Sequence, residues 1–135
     1  MFESRHISIR IHKPAAEVYA FTKDPESFPK WAAGLASGLT RDGDPNGLRW
    51  IAHGPGGDVT VRFSPPNDYG VLDHWVTLPD GTELYMPLRV VANGEGAEVG
   101  MTLYRPPTVY DDAAFDRDAA AVARDLARLK ALVEA

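Results

Sequence analysis

Cysteine is absent from the sequence, which excludes disulfide bonds, thiolate catalysis and thiolate metal sites. No apolar run approaches the length of a membrane span, and the N-terminal residues MFESRHISIRIH lack the apolar core of a signal peptide. We therefore expect a cytoplasmic protein without stable membrane insertion, because nothing in the chain requires an oxidising compartment or a lipid phase.

Positive charge is also scarce. The chain has 14 Lys and Arg residues against 19 Asp and Glu, a net charge of −5, whereas a general nucleic-acid binder needs a basic face to neutralise phosphates. Metal-ligand spacing is missing too, because His6 and His12 share a strand face but are separated by roughly 20 Å. We therefore predict no nucleic-acid partner, no metal site and no cofactor.

The length and composition indicate one globular domain. At 135 residues, with 44% hydrophobic and 24% charged residues, the chain can bury a single sizeable core. The sequence shows no internal repeat, linker or low-complexity segment. We predict one domain over residues 1–135.

The C-terminal stretch from Asp111 to Ala135 is predicted to be a long amphipathic helix. It contains neither Gly nor Pro, and Asp111 has the side chain of a helix N-cap. Arginines occupy one side, and the apolar residues form one narrow stripe at helical spacing: Phe115, Ala119, Val122, Leu126, Leu129 and Val133. Such a helix must cover its stripe against another element, and the rest of the chain supplies a sheet.

The remaining chain predicts strands and turns, with two short helices near the start. Residues 2–12 alternate as a half-buried strand, and residues 15–22 and 26–33 have helical character. Turn residues then divide the chain at 42–47, 54–57, 65–70, 79–82 and 93–96. These connections are too short for parallel crossovers. The fold class is therefore predicted as α+β, a curved antiparallel sheet of about seven strands wrapped around the long C-terminal helix.

Hairpin turns fix several strand registers. A turn around Gly81 places Val76 opposite Leu84, His74 opposite Met86 and Leu72 opposite Leu88. The turn around Gly94 sets Val90 opposite Val99, Leu88 opposite Met101 and Met86 opposite Leu103, and the 54–57 hairpin sets Trp50 opposite Val61 and Leu48 opposite Phe63. All three registers put aliphatic residues on one face, which a slip of one residue would destroy.

The other face of the sheet is predicted to carry an aromatic row. Trp75 falls opposite Tyr85, and Tyr85 falls opposite Tyr104, while Asp73 lies within reach of Arg89 for an ion pair. One interpretation is a cross-strand ladder that stabilises the sheet. The other is an interface that forms a homodimer or binds another protein, since exposed Trp and Tyr residues favour interfaces.

This order of elements resembles the START-like (SRPBCC) superfamily, the helix-grip fold of pollen-allergen-like proteins, START lipid carriers and polyketide cyclase/dehydrase proteins. The resemblance covers essentially the whole chain. It depends on IRIHKPAAEVYAFTKDPESFPKW, on GVLDHWVTLPDG followed by ELYMPLRVVANGEG, and on the closing helix. It implies a cavity between sheet and helix that holds an apolar small molecule, and it carries over no catalytic residue.

The strand registers and the helix stripe then predict the walls of that cavity. The expected lining residues are Trp50, Val61, His74, Met86, Leu88 and Met101 from the sheet, Phe115 and Val122 from the long helix, and Val18, Phe21 and Trp31 at one end. His74 is the candidate polar anchor for a ligand, or alternatively a general base. Asp73 cannot orient it, because adjacent strand residues point to opposite faces.

Three functions remain open at this stage. The first is binding or transport of a small hydrophobic ligand such as an aromatic, polyketide, quinone or lipid-like molecule. The second, by resemblance to one branch, is a cyclase or dehydratase-type enzyme with His74 as general base. The third is a protein-interaction module like the co-chaperones of the same superfamily, using Trp75, Tyr85 and Tyr104.

Overall fold

A computed structural model describes residues 1–33, 37–54 and 56–135. Its helices are α1 (Ala15–Thr22), α2 (Phe28–Trp31) and α3 (Asp112–Glu134). Its strands are β1 (Glu3–Ile11), β2 (Gly38–Arg41), β3 (Arg49–Gly54), β4 (Gly57–Phe63), β5 (His74–Thr77), β6 (Glu83–Met86), β7 (Leu88–Asn93) and β8 (Gly96–Arg105). The predicted α+β class and the predicted order of elements are confirmed.

The strands form two antiparallel sheets, and the chain passes directly from one sheet to the other between β6 and β7. One sheet has the order β1-β8-β7 and the other the order β2-β3-β4-β5-β6. Only Pro87 separates β6 from β7. The sequence predicts a single strand here. Because proline has no N–H to donate to a ladder, that strand is divided into β6 and β7. This division accounts for eight strands instead of about seven.

The registers derived from the hairpins are confirmed within each sheet. The ladders pair Val76 with Leu84, His74 with Met86, Val90 with Val99, Leu88 with Met101 and Trp50 with Val61. Beyond the ladder ends, the Leu72 N–H donates to the Leu88 carbonyl at 2.8 Å and the Phe63 N–H to the Leu48 carbonyl at 2.8 Å. The 54–57 hairpin closes as Gly54 opposite Gly57, and Pro55 within it lies outside the described residues.

The predicted backbone pairing between β6 and β8 is wrong. Met86 and Leu103 are not ladder partners, and neither are Tyr85 and Tyr104. The Thr102 N–H donates to the Pro87 carbonyl at 3.1 Å, and from there β8 pairs with β1 alone. A seam without backbone pairing therefore separates β6 from the last residues of β8, and the Tyr85 and Tyr104 rings stack across it.

The long helix packs as the sequence predicts. The Asp111 carboxylate caps α3 by accepting the Ala114 N–H at 2.7 Å. On the stripe, Phe115, Leu126, Leu129 and Val133 are buried, and Ala119 and Val122 are partly buried. The Lys130 ammonium also donates to the Arg10 carbonyl at 2.7 Å, which ties the end of α3 to β1. The helix thus covers the concave side of the sheet.

The second predicted helix is shorter than residues 26–33. A single 3-10 turn spans Pro25–Ser27, where the Asp24 carboxylate accepts the Glu26 N–H at 3.0 Å, and α2 begins at Phe28. Pro29 lies in the first turn of α2, where its missing N–H costs no helical bond. Phe28 and Trp31 are both buried, so this short helix points two aromatic rings at the core.

Candidate functional site

A cavity of about 100 Å³ lies between the sheet, α2 and α3. We call it the main cavity. Its wall is mostly apolar, and the residues that line it are Phe28, Trp31, Ala32, His74, Met86, Met101, Leu103, Asp118, Ala121, Val122, Asp125 and Leu126. A concave, largely apolar space with a few polar groups is the usual form of a small-molecule site.

Each element contributes its lining residues through simple periodicity. On β8, Met101 and Leu103 are two residues apart and therefore share a face. On α3, Val122 belongs to the apolar stripe, and Asp118 and Asp125 flank the stripe at helical spacing. Two sheet residues, His74 at the start of β5 and Met86 at the end of β6, are ladder partners. Pro87 comes directly after Met86, so the cavity lies beside the point where the chain passes from one sheet to the other.

His74 is the polar side chain buried most deeply in the main cavity wall. It is 2% exposed, and its ring Nδ1 lies 3.1 Å from the Leu72 carbonyl oxygen. Burial lowers the pKa of His74, although the bond to Leu72 and the nearby Asp73 carboxylate act in the opposite direction. The imidazole is therefore neutral near pH 7. Because a carbonyl can only accept, Nδ1 carries the proton and Nε2 offers a lone pair.

Aromatic rings surround this imidazole. The Phe28 ring meets His74 edge to face with centroids 5.9 Å apart, and it meets Trp31 in the same way at 5.4 Å. Phe63 packs against Phe28 at 5.4 Å. Trp31 Nε1 is buried and has no hydrogen-bond partner in the part of the chain that the structure describes. This N–H is closed off from solvent and from the main cavity, whose wall Trp31 lines with other atoms.

Two carboxylates line the helix side of the main cavity. Asp118 and Asp125 both come from α3. Burial raises the pKa of Tyr110, and a hydrogen bond to Asp118 raises it further, so this hydroxyl stays protonated beside the carboxylate. Among the described residues that line the cavity there is no Lys or Arg. A bound carboxylate or phosphate would find no positive charge there.

The structure brings five of the predicted lining residues together and leaves six elsewhere. Trp31, His74, Met86, Met101 and Val122 share the wall of the main cavity. Leu88 instead lines a small neighbouring cavity of about 20 Å³, which His74 also borders. The others are packed in the core away from the main cavity: Trp50, Val61, Val18, Phe21 and Phe115.

Packing explains these differences. Trp50 is 5% exposed, and its Nε1 donates to the Gly47 carbonyl at 2.9 Å, which holds the indole against its own turn. Phe115 contacts Tyr110 at a centroid distance of 5.8 Å in a separate small cluster with Leu103. The sequence shows which face is apolar, but it does not show where side chains fill the space completely.

Several lining residues were not among those predicted. Leu103 shares the face of Met101, so the strand alternation already carried that signal. Asp118 and Asp125 flank the helix stripe, a position that could have indicated the cavity rim. Phe28 and Ala121 gave no signal beyond helical spacing, because their role depends on how α2 and α3 approach each other.

On the outer face, the aromatic row forms through ring contacts. Trp75 and Tyr85 stack with centroids 5.3 Å apart, and Tyr85 and Tyr104 stack at 6.3 Å across the seam. The Arg62 guanidinium covers Trp75 at 4.2 Å. Tyr85 is 39% exposed, whereas Trp75 and Tyr104 are half-buried. The rings therefore cover one another, as in a ladder, and an interface on this face stays a prediction.

A recess of about 280 Å³ lies on the same outer side, over the seam. We call it the outer recess. It is lined by Phe2, Glu83, Leu84, Tyr85, Met86, Tyr104, Pro106 and Tyr110. Met86 is the described residue that lines both this recess and the main cavity.

A second polar cluster has the geometry of a hydrolytic triad but not its surroundings. His53 Nδ1 lies 2.9 Å from the Asp58 carboxylate, and His53 Nε2 lies 2.6 Å from the Thr40 hydroxyl. The side chains of His53 and Asp58 are 43% and 63% exposed, and neither they nor Thr40 line the main cavity. Triad catalysis needs a site that excludes water and supplies oxyanion donors. We interpret this cluster as a cross-strand bond chain on β2, β3 and β4.

Among the described residues, no group of three or more His, Cys, Asp or Glu side chains is placed to hold a metal ion. Likewise, none of the described helices combines the length and the hydropathy required to span a bilayer.

Comparison with known proteins finds similarity at the level of structure. No family model and no curated sequence matches the chain. A START superfamily protein from Mycobacterium smegmatis superposes with a TM-score of 0.74 at 13% identity, covering 97% of each chain. The protein TTHA0849 from Thermus thermophilus gives a TM-score of 0.72 at 19% identity, covering 98% of this chain and 97% of the other.

A third similar structure is DynU16, a protein in the dynemicin biosynthetic locus. It gives a TM-score of 0.71 at 15% identity, and the match covers 97% of this chain but 47% of DynU16. Identities this low show a shared fold alone and carry no conclusion about activity. Together with the curved antiparallel sheets, the two short helices after β1 and the long α3, they establish that this chain has the START-like, helix-grip fold.

Proposed function

We propose that this protein binds a small, uncharged, hydrophobic molecule of about one ring in the main cavity. The observation that carries the proposal is the cavity itself, an apolar space with a neutral imidazole on its wall. Natural cores are close-packed, and a void forfeits dispersion contacts on every side. A ligand that fills the main cavity would restore those contacts.

The volume limits the size of the ligand. Drug-sized ligands occupy pockets of about 300–1,000 Å³, and an engineered apolar cavity of about 150 Å³ accommodates benzene. The main cavity, at about 100 Å³, is smaller than both, but it is open on the helix side, where the lining residue Asp118 is exposed, so a small ligand need not fit wholly inside it. This size favours a ligand with a single aromatic ring or a short aliphatic chain. It is too small for most polyketides, quinones and lipids, the larger ligands that the fold resemblance suggests.

Charge limits the ligand as well. His74 is neutral, the described lining has no Lys or Arg, and Asp118 and Asp125 are acidic. An anionic ligand would leave water without gaining a counter-charge, which costs several kcal/mol at the least. These features together support an uncharged ligand.

An enzymatic role has less support. A general base needs an orienting partner and a neighbouring group that stabilises developing charge. Nδ1 of His74 is oriented by the Leu72 carbonyl, but Asp73 points to the opposite face and bonds Arg89 instead. The cyclase or dehydratase alternative therefore depends on the imidazole alone, and binding is the function that we propose.

The proposal can be tested by filling the cavity from the helix. Ala121 lines the main cavity, whereas Ala123 is exposed on the same helix. Replacing either with Leu changes helix propensity little. We expect Ala121→Leu to abolish binding of toluene and phenol, two single-ring probes, in an NMR titration, and to raise the free energy of unfolding by about 0.5–2 kcal/mol through cavity filling.

The control is Ala123→Leu, which should bind both probes like the unmodified protein. The proposal is overturned if neither probe binds the unmodified protein. It is also overturned if Ala121→Leu and Ala123→Leu bind the probes equally well, because the probes would then occupy another place.

A further inference from the structure

We infer that the free edge of β1 binds an extended acidic peptide, which adds to the sheet as a further antiparallel strand. β1 is the outermost strand of the sheet β1-β8-β7, so only one of its two sides is paired. A sheet edge of this kind offers a row of backbone N–H and C=O groups to another chain. The site does not include the main cavity, so the inference goes beyond the proposed function and does not depend on it.

The direction of the backbone groups of β1 follows from the contacts at its end. Neighbouring residues of a strand point their N–H and C=O groups to opposite sides in the plane of the sheet. The Arg10 carbonyl accepts a hydrogen bond from the Lys130 ammonium at 2.7 Å. The His12 N–H donates to the Glu134 carboxylate at 2.8 Å. Both backbone groups therefore point away from β8, and so do those of the other even-numbered residues of the strand: Ser4, His6 and Ser8.

The register of β8 agrees with this assignment. The Thr102 N–H donates to the Pro87 carbonyl on the β7 side, so the even-numbered residues of β8 face β7 and the odd-numbered ones face β1. Odd-numbered pairs such as Ile7 with Met101 therefore carry the hydrogen bonds between β1 and β8. None of the turn, loop and side-chain hydrogen bonds of the described residues reaches the outward backbone groups of Ser4, His6 or Ser8.

β1 is the long open edge of the two sheets. It has nine residues in one continuous register, whereas β2, at the edge of the other sheet, has four. The outer side of β7 is covered by residues 70–72, which exchange hydrogen bonds with Leu88 and Val90. Proteins usually shorten, bulge or cover such an edge, because its unpaired groups recruit another chain. The outward residues of β1 are exposed instead.

The helix α3 provides a wall beside this edge. Asp116 bonds the Arg5 guanidinium and Lys130 bonds the Arg10 carbonyl, so one side of the helix borders β1. Between these two contacts the same side of α3 carries exposed alanines at helical spacing: Ala120, Ala123 and Ala127. Methyl groups leave room for larger side chains. The residues of an added strand that point towards α3 should therefore be apolar, such as valine.

Charge on the other face of β1 favours an acidic peptide. The even-numbered side chains of β1 form a row there with one arginine, one histidine and no carboxylate. The Arg10 side chain is 80% exposed, and its ion pair with Glu98 of β8, at 3.3 Å, is also exposed. Such a pair leaves the guanidinium largely hydrated. A glutamate of the added strand would supply a second counter-charge from the open side of Arg10, whereas a lysine there would be repelled.

The test uses a synthetic peptide with blocked ends in which valine and glutamate alternate over about seven residues, the length of the open edge. Residues that face each other in an antiparallel pair share a side of the sheet, and those opposite the even-numbered residues of β1 exchange both hydrogen bonds with them. When the valines point towards α3, the glutamate N–H groups therefore point to β1 and the valine N–H groups point away from it.

Two methylated forms of this peptide separate backbone pairing from other contacts. We expect methyl groups on the glutamate nitrogens to weaken binding at least about tenfold, because several hydrogen bonds are lost. Methyl groups on the valine nitrogens should change the affinity less than about threefold, since these nitrogens face solvent. NMR titration measures the affinities. The inference is overturned if the two methylated forms bind equally well, or if the unmethylated peptide does not bind.

A third peptide tests the charge, with lysine in place of each glutamate. We expect it to bind at least about fivefold more weakly at low salt, where exposed charges interact most strongly. Equal affinities for the two charges overturn the acidic character of the partner.

On the protein, Ser8→Pro removes an outward N–H that the β1–β8 ladder does not use, and proline is tolerated at such an edge position. We expect it to abolish binding of the glutamate peptide, and Ser8→Ala to bind like the unmodified protein. Equal binding by the two variants overturns the inference.

Should Ser8→Pro fail to fold, hydrogen exchange of the unmodified protein provides the test. In the free protein the amides of His6 and Ser8 should exchange early, and those of Ile7 and Ile9 should be protected by β8. The glutamate peptide should slow exchange at His6 and Ser8. Protection of these two amides without peptide, or no change on adding it, overturns the inference. None of these outcomes bears on ligand binding in the main cavity.

Discussion

Asp73 and His74 are neighbours in the sequence, yet their side chains lie on opposite sides of the sheet. The Asp73 carboxylate accepts two hydrogen bonds from the Arg89 guanidinium, at 2.9 and 3.0 Å, whereas the His74 ring lines the main cavity. The alternation of strand residues predicts this separation, and the structure confirms it. Asp73 therefore contributes to the stability of the sheet, and His74 contributes to the wall of the main cavity.

Asp73 should matter for stability more than an exposed carboxylate does. It is 5% exposed and also accepts the Leu88 N–H and the Tyr85 hydroxyl, at 3.0 and 2.5 Å. Burial opposes its ionisation, but these bonds outweigh burial and lower its pKa. We expect Asp73→Asn to cost about 2–3 kcal/mol in urea unfolding, because Asn cannot accept all four bonds.

The control for this prediction is Asp116→Asn, which breaks an ion pair with Arg5 whose two side chains are 41% and 64% exposed. Exposed pairs contribute about 0–1 kcal/mol. Equal losses in the two variants would contradict the role assigned to Asp73.

His74 should make stability depend on pH in mildly acidic solution. Its pKa in the folded protein is lowered by burial, below an ordinary value of about 6.5. As pH falls below that value, the unfolded chain takes up a proton that the folded chain does not. From this residue we expect the free energy of unfolding to fall, by up to about 1.4 kcal/mol per pH unit, as the pH decreases below about 6.5.

The measurement is denaturant unfolding of the unmodified protein and His74→Phe across this range. The variant should show the shallower slope, whatever its absolute stability. Carboxylates with lowered pKa, such as Asp73 and Glu134, contribute only at lower pH, where they become protonated. Parallel slopes for the two proteins would show that His74 takes up its proton as readily in the folded state as in the unfolded chain, which would contradict the prediction.

The buried stripe of α3 should carry most of the stability of the helix. Leu126 is 1% exposed, whereas Arg124 is exposed on the other side. We expect Leu126→Ala to cost about 2–5 kcal/mol through lost burial and an enlarged cavity. Arg124→Ala should cost less than about 0.5 kcal/mol. Urea unfolding of both variants measures this, and comparable losses would contradict the assigned helix face.

We expect the aromatic row to contribute to the stability of the fold and not to dimerisation. Each aromatic contact is worth about 0.5–1.5 kcal/mol, so the combined variant Trp75→Ala, Tyr85→Ala should lose about 1–3 kcal/mol. We expect sedimentation to show a monomer for both proteins at high micromolar concentration. A dimer of the unmodified protein that the substitutions dissociate would instead establish this face as an interface.

The sequence predicts the fold well because several local signals agree. The helix stripe, the Asp111 cap and three hairpin registers all place aliphatic residues on one face, and His74 falls on that face by counting from Gly81. The division at Pro87 was missed, since the alternation of side chains continues across the proline from Met86 to Leu88. The alternation of side chains alone does not show that the backbone N–H of proline is missing from the ladder.

The site was predicted less completely than the fold. Trp50, Val61 and Met101 all face inward, but only Met101 borders empty space. Whether an inward residue lines a cavity depends on the approach of α2 and α3, which is set by packing across the whole core. For the same reason Phe28 and Ala121 could not be identified from their own neighbours in the chain.

The seam between β6 and β8 has a consequence for hydrogen exchange. A backbone ladder would protect the amide hydrogens along it, but here the two strands meet mainly through the stacked rings of Tyr85 and Tyr104. One aromatic contact is worth about 0.5–1.5 kcal/mol, far less than the roughly 5–15 kcal/mol of unfolding a typical domain. Local opening should therefore occur at this seam before the β1–β8 ladder loosens, and the β6 amides that do not bond to β5 should exchange with solvent deuterium early. Met86, which lines both the main cavity and the outer recess, would then meet water from the side of the recess.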